Sequence, residues 1–227
     1  MSVVSVRGVG KLFQHRLPRY RTLVGRLRRA WSGDAARIPV WALKGVSFDV
    51  ERGECLGITG PNGSGKSTLL KIIAGILRPS EGSVRVEGRA NTFFNLDAGL
   101  QTELGVRDNI EIGGILMGLR RRQVLDRVAA ILDFAELAHL AEVRMAELST
   151  GQVARVSFAT MVHSDLDLML VDEALAVGDS AFQDKCRRAF ARLRGEGRTL
   201  IIVSHDEEML RGMGSRMLRL DGGRADG

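Results

Sequence analysis

Residues 60–67 read GPNGSGKS and are the strongest indication of the fold in this sequence. It matches the pattern Gly-x-x-x-x-Gly-Lys-Ser/Thr in full, and it lies between the apolar run CLGIT (55–59) and the helical pattern KSTLLKIIAGIL (66–77). A strand before such a loop and a helix after it form the setting in which the loop binds nucleotide phosphates. The sequence therefore predicts a phosphate-binding loop in an α/β sheet.

Each residue type in this loop has a chemical reason. The glycines at positions 60, 63 and 65 let the backbone turn tightly and bring N–H groups toward phosphate oxygens. Lys66 is expected to neutralise the β- and γ-phosphates of ATP, and the Ser67 hydroxyl is expected to be a Mg²⁺ ligand. The residues predicted to bind the nucleotide here are Gly60, Pro61, Asn62, Gly63, Ser64, Gly65, Lys66, Ser67 and Thr68.

Strand and helix patterns alternate on both sides of the loop, which predicts an α/β fold. VVSVR (3–7) is typical of an edge strand, and VSFDV (46–50) of the next strand. LDLMLVD (166–172) and TLIIVS (199–204) are continuous apolar runs that suit parallel strands covered on both faces. Between these regions the pattern becomes helical, and three helices are expected over 106–119, 120–137 and 151–162.

Candidate hydrolytic residues follow the two buried strands. Asp172 and Glu173 lie at the carboxyl end of a strand, where open α/β sheets place their ligands. Asp172 is expected to hold Mg²⁺ through water, and Glu173 to orient and deprotonate the attacking water. His205 follows the second strand, within reach of the γ-phosphate as a hydrogen-bond donor. We predict Glu173, His205 and Lys66 as the catalytic residues.

Residues 148–152 read LSTGQ and resemble the signature sequence of ABC ATPases. The motifs also occur in the order typical of that family, from the phosphate loop through LSTGQ and LMLVDE to the Ser-His pair. The resemblance covers almost the whole chain. It implies a P-loop NTPase (RecA-like) core with an antiparallel β-subdomain and an inserted α-helical subdomain at about residues 100–163. Residues 1–227 would then form a single ABC nucleotide-binding domain.

The same resemblance implies a head-to-tail homodimer that encloses two Mg-ATP molecules. Ser149, Gly151 and Gln152 would contact the γ-phosphate of the ATP bound by the partner subunit's Lys66. A helix that begins with Ser and Gly is chemically suited to an anion.

Residues 172–186 read DEALAVGDSAFQDKC and resemble the ATPases of bacterial polysaccharide exporters for O-antigen, capsule and teichoic acid. Asp179 takes the position of the family's D-loop aspartate, which lies across the dimer interface. The resemblance implies an integral-membrane permease as partner and a peripheral position at the cytoplasmic face of the bacterial inner membrane. The permease would make most of the contacts to the exported glycan.

The formal charge is +6 and much of it lies in one segment, residues 14–37. Apolar residues recur there at helical spacing, from Tyr20 to Trp31, with arginines around them. A basic amphipathic helix with an aromatic residue suits an anionic membrane interface, and the insertion resembles the membrane- and permease-facing helix of the exporters. No apolar stretch is long enough to span a bilayer. The alternative is a soluble ABC ATPase that acts on nucleic acid or protein assemblies, although no nucleic acid partner is expected.

Two positions stay open at this level. An ungapped match to the family puts Leu96 where a Mg²⁺-contacting glutamine is usual, with Asn95 adjacent and Gln101 the nearest glutamine. The adenine base could stack on Phe13, which matches the family's usual position, or on Trp41, which is nearer in sequence to the phosphate loop.

Overall fold

The computed structural model describes residues 2–16, 37–88, 90–93, 99–172 and 179–226. The strands are β1 (Ser2–Arg16), β2 (Arg37–Glu51), β3 (Cys55–Thr59), β4 (Glu81–Val86), β5 (Ala90–Phe93), β6 (Leu168–Asp172), β7 (Thr199–Val203), β8 (Arg216–Asp221) and β9 (Arg224–Asp226). The α-helices are α1 (Lys66–Ile73), α2 (Val106–Leu116), α3 (Arg121–Ala135), α4 (Thr150–Val162), α5 (Ser180–Gly195) and α6 (Glu207–Gly212). Short 3₁₀ turns at Ala138–Leu140 and Met145–Glu147 separate α3 from α4.

The strands form two sheets. An antiparallel sheet has the order β2-β1-β4, and a second sheet has the order β5-β6-β7-β3-β8-β9. Neighbours in the second sheet are parallel from β5 to β8, and only the β8–β9 pair is antiparallel. This arrangement is the α/β core with an antiparallel β-subdomain that the resemblance implies.

The first strand differs from its predicted place. The sequence VVSVR was expected at a sheet edge, but β1 lies between β2 and β4 and is hydrogen-bonded to both. Val4 and Val6 are fully buried, as is Val9 further along the strand. The prediction was wrong because the partner on the second side, β4, comes more than sixty residues later in the chain, and strand pattern alone does not reveal such a pairing.

The central strands of the large sheet are buried on both faces, as their apolar runs predict. In β7, Ile201 and Val203 pack into the core shared with the antiparallel sheet and α1. Leu200 and Ile202 face the opposite side and pack against α4, α5 and α6. Because alternate residues of one strand enter two cores, both faces of the sheet are covered.

Helices form between residues 106 and 162, where the sequence pattern predicts them. α2, α3 and α4 share a cluster of buried residues that is distinct from the two cores of the large sheet, with Val106, Ile110, Val124, Ile131 and Val156 among its members. We call residues 100–163 the helical subdomain.

Helix α1 is shorter than the sequence pattern predicts. The apolar spacing predicts α1 as far as Leu77, but the helix ends at Ile73 and Gly75 takes a φ of +73°. The Gly75 and Ile76 N–H groups donate to the carbonyls of Ile72 and Lys71, at 3.0 Å each. This left-handed glycine ends the helix because it turns the chain away while satisfying the last carbonyls.

The predicted insertion at residues 14–37 has narrower bounds than expected. β1 and β2 stay paired as far as Arg16 opposite Arg37, so the two ends of the segment belong to a strand ladder. The amphipathic helix predicted between them, with Tyr20 and Trp31, lies outside the described residues.

An aromatic cluster joins the helical subdomain to the core. The Phe158 ring of α4 lies with its centroid 5.3 Å from that of Phe190 and 6.2 Å from that of Phe182, both on α5. The Phe134 ring of α3 lies 6.1 Å from that of Phe158 and 6.0 Å from that of Phe182. Since Phe158 is fully buried, its ring fills the interface between the helical subdomain and the core.

Replacement of the Phe158 ring tests the packing at this interface. We expect Phe158→Ala to lower the free energy of unfolding by about 3–5 kcal/mol, because the change leaves a cavity between α3, α4 and α5. The control is Leu125→Ala, at a position that is 46% exposed, for which a loss below about 0.5 kcal/mol is expected. Urea denaturation of both variants measures the free energy of unfolding, and equal losses in the two variants would contradict the packing role of Phe158.

Candidate nucleotide-binding site

The phosphate loop is packed between two sheets by backbone contacts. A Cβ atom on Gly60 would lie 2.0 Å from the carbonyl oxygen of Leu220 in β8. A Cβ atom on Gly65 would lie 2.4 Å from the carbonyl oxygen of Ala42 in β2. Both glycines also have a positive φ, 140° and 102°, which L-residues rarely adopt. The loop therefore needs glycine at both positions for space as well as for conformation.

The amino end of α1 suits an anion. Its N-cap is Gly65, which makes no side-chain capping bond, so the first N–H groups of the helix have no partner from a cap. These groups and the helix dipole present partial positive charge at the end of the loop. A phosphate group is the ligand that this arrangement favours.

Lys66 bonds back onto the backbone of the phosphate loop. Its side chain is buried, and Nζ donates to the carbonyl oxygens of Gly60 at 2.9 Å and Pro61 at 3.0 Å. Within the described part of the chain, the buried Ser64 Oγ has no hydrogen-bond partner. A buried ammonium held by two backbone carbonyls and an unsatisfied buried hydroxyl both fit a polar, negatively charged ligand.

The strand register places Asp172 at the same level of the sheet as the end of β3, where the phosphate loop begins. Asp172 pairs with Val203, and Val203 pairs with Ile58, so all three lie at one height across β6, β7 and β3. At a spacing of about 4.8 Å between strands, Asp172 and Ile58 are separated by about 10 Å. Asp172 thus ends its strand on the side of the sheet where the phosphate loop begins.

His205 lies beside the loop itself. Together with Gly60 and Pro61 it lines an open cavity of about 260 Å³. The residues around it hold the turn: Ser204 Oγ accepts from the Asp206 N–H at 3.0 Å, and Asp206 caps α6 by accepting from Met209 N–H at 2.8 Å. The backbone at His205 is therefore held between the end of β7 and the start of α6.

The LSTGQ stretch forms the capped start of α4. Ser149 Oγ accepts from the Gln152 N–H at 3.3 Å, and Gln152 Oε1 accepts from the Ser149 N–H at 2.9 Å. A Cβ atom on Gly151 would meet nothing within 4 Å, so the helix start is open. All three residues line a cavity of about 410 Å³.

Among the described residues, these two cavities are separate. The cavity at Ser149, Gly151 and Gln152 shares no lining residue with the one at Gly60 and His205. The first belongs to the helical subdomain and the second to the end of the large sheet.

Comparison with known proteins supports these motifs. The sequence profile of the family described as ABC transporter matches residues 43–176, which is more than half of the chain. The chain belongs to the ABC transporter family. The complete phosphate loop makes it an ATP-binding chain of that family, and as a member of the family it is an ATP-hydrolysing enzyme.

Three relatives within the family are named as transporter or export proteins. The chain is 36% identical to the ABC transporter protein AbcA of Aeromonas salmonicida, over 97% of this chain and 70% of that protein. It is 36% identical to the O-antigen export system ATP-binding protein RfbB of Myxococcus xanthus, over 91% of this chain and 48% of that protein. It is also 36% identical to the teichoic acids export ATP-binding protein TagH of Lactococcus lactis, over 81% of this chain but 39% of that protein.

Solved structures confirm the fold. The ABC transporter cassette MJ0796, in a dimeric post-hydrolysis state with ADP and phosphate, superposes with a TM-score of 0.78 at 24% identity. The match covers 99% of this chain and 97% of that one. The cassette MJ1267 in its ADP conformation gives 0.70 at 24% identity. The P-loop NTPase architecture expected from the sequence is therefore confirmed.

Some candidates of this ABC ATPase lie outside the described residues. These are Glu173, Asn95 and Leu96. Gln101 is described, and its backbone is held by the buried Asn109: the Gln101 N–H donates to Asn109 Oδ1 at 2.7 Å, and its carbonyl accepts from Asn109 Nδ2 at 2.9 Å. Across the described ranges, no helix is both long and apolar enough to cross a bilayer.

Both aromatic candidates lie on the β1–β2 hairpin. Trp41 is 37% exposed and immediately precedes Ala42, whose carbonyl faces Gly65 of the phosphate loop. Phe13 lies one ladder position further from the loop, opposite Val40, and Lys11 Nζ lies 5.3 Å from the centroid of its ring. Each stays a proposal for the adenine contact.

Sequence reasoning missed one residue near the signature stretch. Arg155 lines the same cavity as Ser149 and Gly151 and bonds Asp179, the N-cap of α5, at 3.0 Å. Its spacing of three residues from Gln152 places it one helical turn away, which was the available signal. The partner Asp179 could not be found from spacing, because it is 24 residues further along the chain.

The close packing of the loop gives a direct test. We expect Gly65→Ala to weaken ATP binding by about 10- to 100-fold, because the added methyl must displace the loop from Ala42 in a strained conformation. The measurement is a fluorescence titration with a labelled ATP analogue.

The matched control is Gly75→Ala. Gly75 also has a positive φ, +73°, but its Cβ would meet nothing within 4 Å. That variant carries similar strain away from the loop and is expected to bind ATP as the wild type does. Equal affinities for the two variants would refute the role of the Gly65 contact.

Proposed function

We propose that this chain is the ATP-hydrolysing motor of an exporter that moves a polysaccharide or lipid-linked glycan through a separate permease. The observation that carries the motor role is the phosphate loop, with its packed glycines, uncapped helix and buried Lys66. The export role is supported by the names of the relatives, RfbB and TagH. Because the chain spans about half or less of these two proteins, their further segments are not represented in the match.

The proposed dimer accounts for two cavities that share no lining residue. In a head-to-tail homodimer, the phosphate loop of one copy would meet the helix start of the other. Ser149, Gly151 and Gln152 would then reach the γ-phosphate bound by the partner subunit's Lys66, with Asp179 close to the interface. The open space around Gly151 is consistent with the approach of a phosphate.

The residues present fit Mg²⁺. Ser67 and Asp172 offer hydroxyl and carboxylate oxygens, the donor type that Mg²⁺ prefers, and substrate phosphates usually supply further ligands. When bound, the ion would neutralise charge on the β- and γ-phosphates.

The remaining roles belong to side chains around the γ-phosphate. Lys66 would leave the carbonyls of Gly60 and Pro61 to bind the β- and γ-phosphates. Glu173, directly after the end of β6, would orient the attacking water and accept its proton. His205, beside the loop, would donate a hydrogen bond to the γ-phosphate. Adenine would stack on Phe13 or Trp41.

We place the protein at the cytoplasmic face of the bacterial inner membrane, bound to its permease through the basic segment among other contacts. The alternative is an ABC ATPase that acts on nucleic acid or protein assemblies, which the formal charge of +6 would suit. Purification of Glu173→Gln with ATP from native membranes separates the two. A polytopic membrane protein at one-to-one stoichiometry supports export, whereas nucleic acid or a non-membrane assembly would overturn it.

Two variants separate binding from hydrolysis. Lys66→Ala is expected to weaken ATP binding by about 100-fold, because charge-assisted bonds to the phosphates are lost. Glu173→Gln is expected to bind ATP normally, to lose hydrolysis and to accumulate as a dimer. Titration, phosphate release and size-exclusion chromatography measure these effects, and normal turnover by Glu173→Gln would contradict the role of that residue.

Replacement of the basic segment tests the membrane contact. Because Arg16 pairs with Arg37, residues 17–36 can be replaced by an Asn-Gly turn that closes the hairpin. We expect unchanged ATP binding and a reduced fraction bound to anionic vesicles and to permease-containing membranes, measured by flotation.

The charge-specific control replaces Arg26, Arg28 and Arg29 with glutamine. If the contact is electrostatic, this variant loses about 1 kcal/mol per residue on anionic vesicles and nothing on neutral ones. Unchanged flotation of both variants would rule out the docking role.

A further inference from the structure

Three segments of the chain meet at the side chain of Arg155. This residue lies on α4, and its guanidinium donates from Nη1 to Glu136 Oε2 at 2.7 Å and from Nη2 to Asp179 Oδ2 at 3.0 Å. Glu136 follows α3, and Asp179 precedes α5. The side chain of Arg155 is only 17% exposed. A single cation thus links the end of α3, the signature helix and the start of α5.

An aromatic ring holds the guanidinium in place. The Cζ atom of Arg155 lies 4.6 Å from the centroid of Phe182 on α5. Such a contact is favourable and restricts the plane of the guanidinium. Because Phe182 is buried, the ring is itself fixed.

Both oxygens of Asp179 are engaged. Oδ1 accepts from the Phe182 N–H at 2.9 Å as the cap of α5, and Oδ2 accepts from Arg155. The Phe182 N–H and the nearby Arg155 charge hold the pKa of Asp179 below its usual range, so the carboxylate stays charged at neutral pH. The aspartate is therefore oriented with respect to α4 as well as to its own helix.

Glu136 fixes the third segment. Among the described residues it is the only one other than glycine with a positive φ, +62°, a conformation of some cost for this residue type. Its Oε1 accepts from Lys185 Nζ at 3.2 Å, while Oε2 accepts from Arg155. Lys185 Nζ also lies 4.9 Å from the centroid of Phe134. Cations from α4 and α5 thus hold the end of α3 in an uncommon backbone conformation.

We propose that Arg155 is a positioning residue that sets Asp179 in one geometry relative to Ser149 and Gly151. The inference rests on the proposed dimer, in which these residues face the partner's nucleotide. Arg155 lines the same cavity as Ser149 and Gly151, so it lies next to the signature residues. Loss of its two ion pairs leaves the phosphate loop intact but separates Asp179 from the signature helix.

The test variant is Arg155→Met, which keeps an apolar stem over Phe182 and removes both ion pairs. We expect kcat for ATP hydrolysis to fall about 10- to 100-fold, as small misplacements of catalytic assemblies do. Affinity of the monomer for a labelled ADP stays within twofold of wild type. ATP-dependent dimerisation in the Glu173→Gln background becomes weaker, and Arg155→Lys, which cannot hold both carboxylates in one plane, is intermediate.

The matched control is Arg127→Met. Arg127 donates to the carbonyl oxygen of His163 at 2.6 Å and to both carboxylate oxygens of Asp165, and its side chain is 32% exposed. It also joins the helical subdomain to the core, but it does not bond Asp179. Its loss is expected to lower stability while kcat, measured well below the melting temperature, stays near the wild-type value.

Two further measurements test whether Arg155 affects ATP hydrolysis through Asp179. If Arg155 acts through Asp179, the double variant of Arg155→Met and Asp179→Asn hydrolyses ATP no more slowly than Asp179→Asn alone. Hydrogen exchange at the Phe182 amide, which bonds Asp179 Oδ1, is faster in Arg155→Met and unchanged in Arg127→Met.

Wild-type hydrolysis and dimerisation test the proposed function alone, and the amide exchange does not depend on either. Equal kcat values for Arg155→Met and Arg127→Met, additive losses in the double variant, or unchanged exchange at Phe182 would each overturn the positioning role.

Discussion

The contact between the phosphate loop and the backbone of two sheets is the constraint on which this structure depends. Gly60 lies against the carbonyl of Leu220 in the large sheet, and Gly65 lies against that of Ala42 in the antiparallel sheet. With no side chain at either position, the two backbones approach closely. The loop therefore fixes the start of α1 and the place of Lys66, and it sets the antiparallel sheet against the core.

The ladders of the large sheet extend this order to the other candidate residues. Pairing of β6 with β7 and of β7 with β3 puts Asp172 at the height of Ile58. His205 follows β7 and lies beside the loop. The positions of an acid and a histidine from distant parts of the chain are thus set by strand register, which is strongly specified where both faces of a sheet are buried.

The helical subdomain is joined to this core by chemistry of two kinds. Phe158 packs among aromatic rings from α3 and α5, which supplies apolar contact area. Arg155 adds ion pairs to Glu136 and Asp179 at the same joint. Apolar packing stabilises the joint without a strong preference in direction, whereas paired charges fix relative orientation. In the proposed dimer, that orientation decides where the signature residues lie.

The phosphate loop, the α/β class, the helical subdomain and the family could all be predicted from the sequence, because each depends on local pattern or on motif order along the chain. Only the folded structure shows the central place of β1, the early end of α1 at Ile73 before the left-handed Gly75, and the narrower bounds of the insertion. It also revealed the bond between Arg155 and Asp179, 24 residues apart. These depend on contacts between segments distant in the chain or on backbone conformation, and a periodic pattern specifies which face of an element is buried but not which partner covers it.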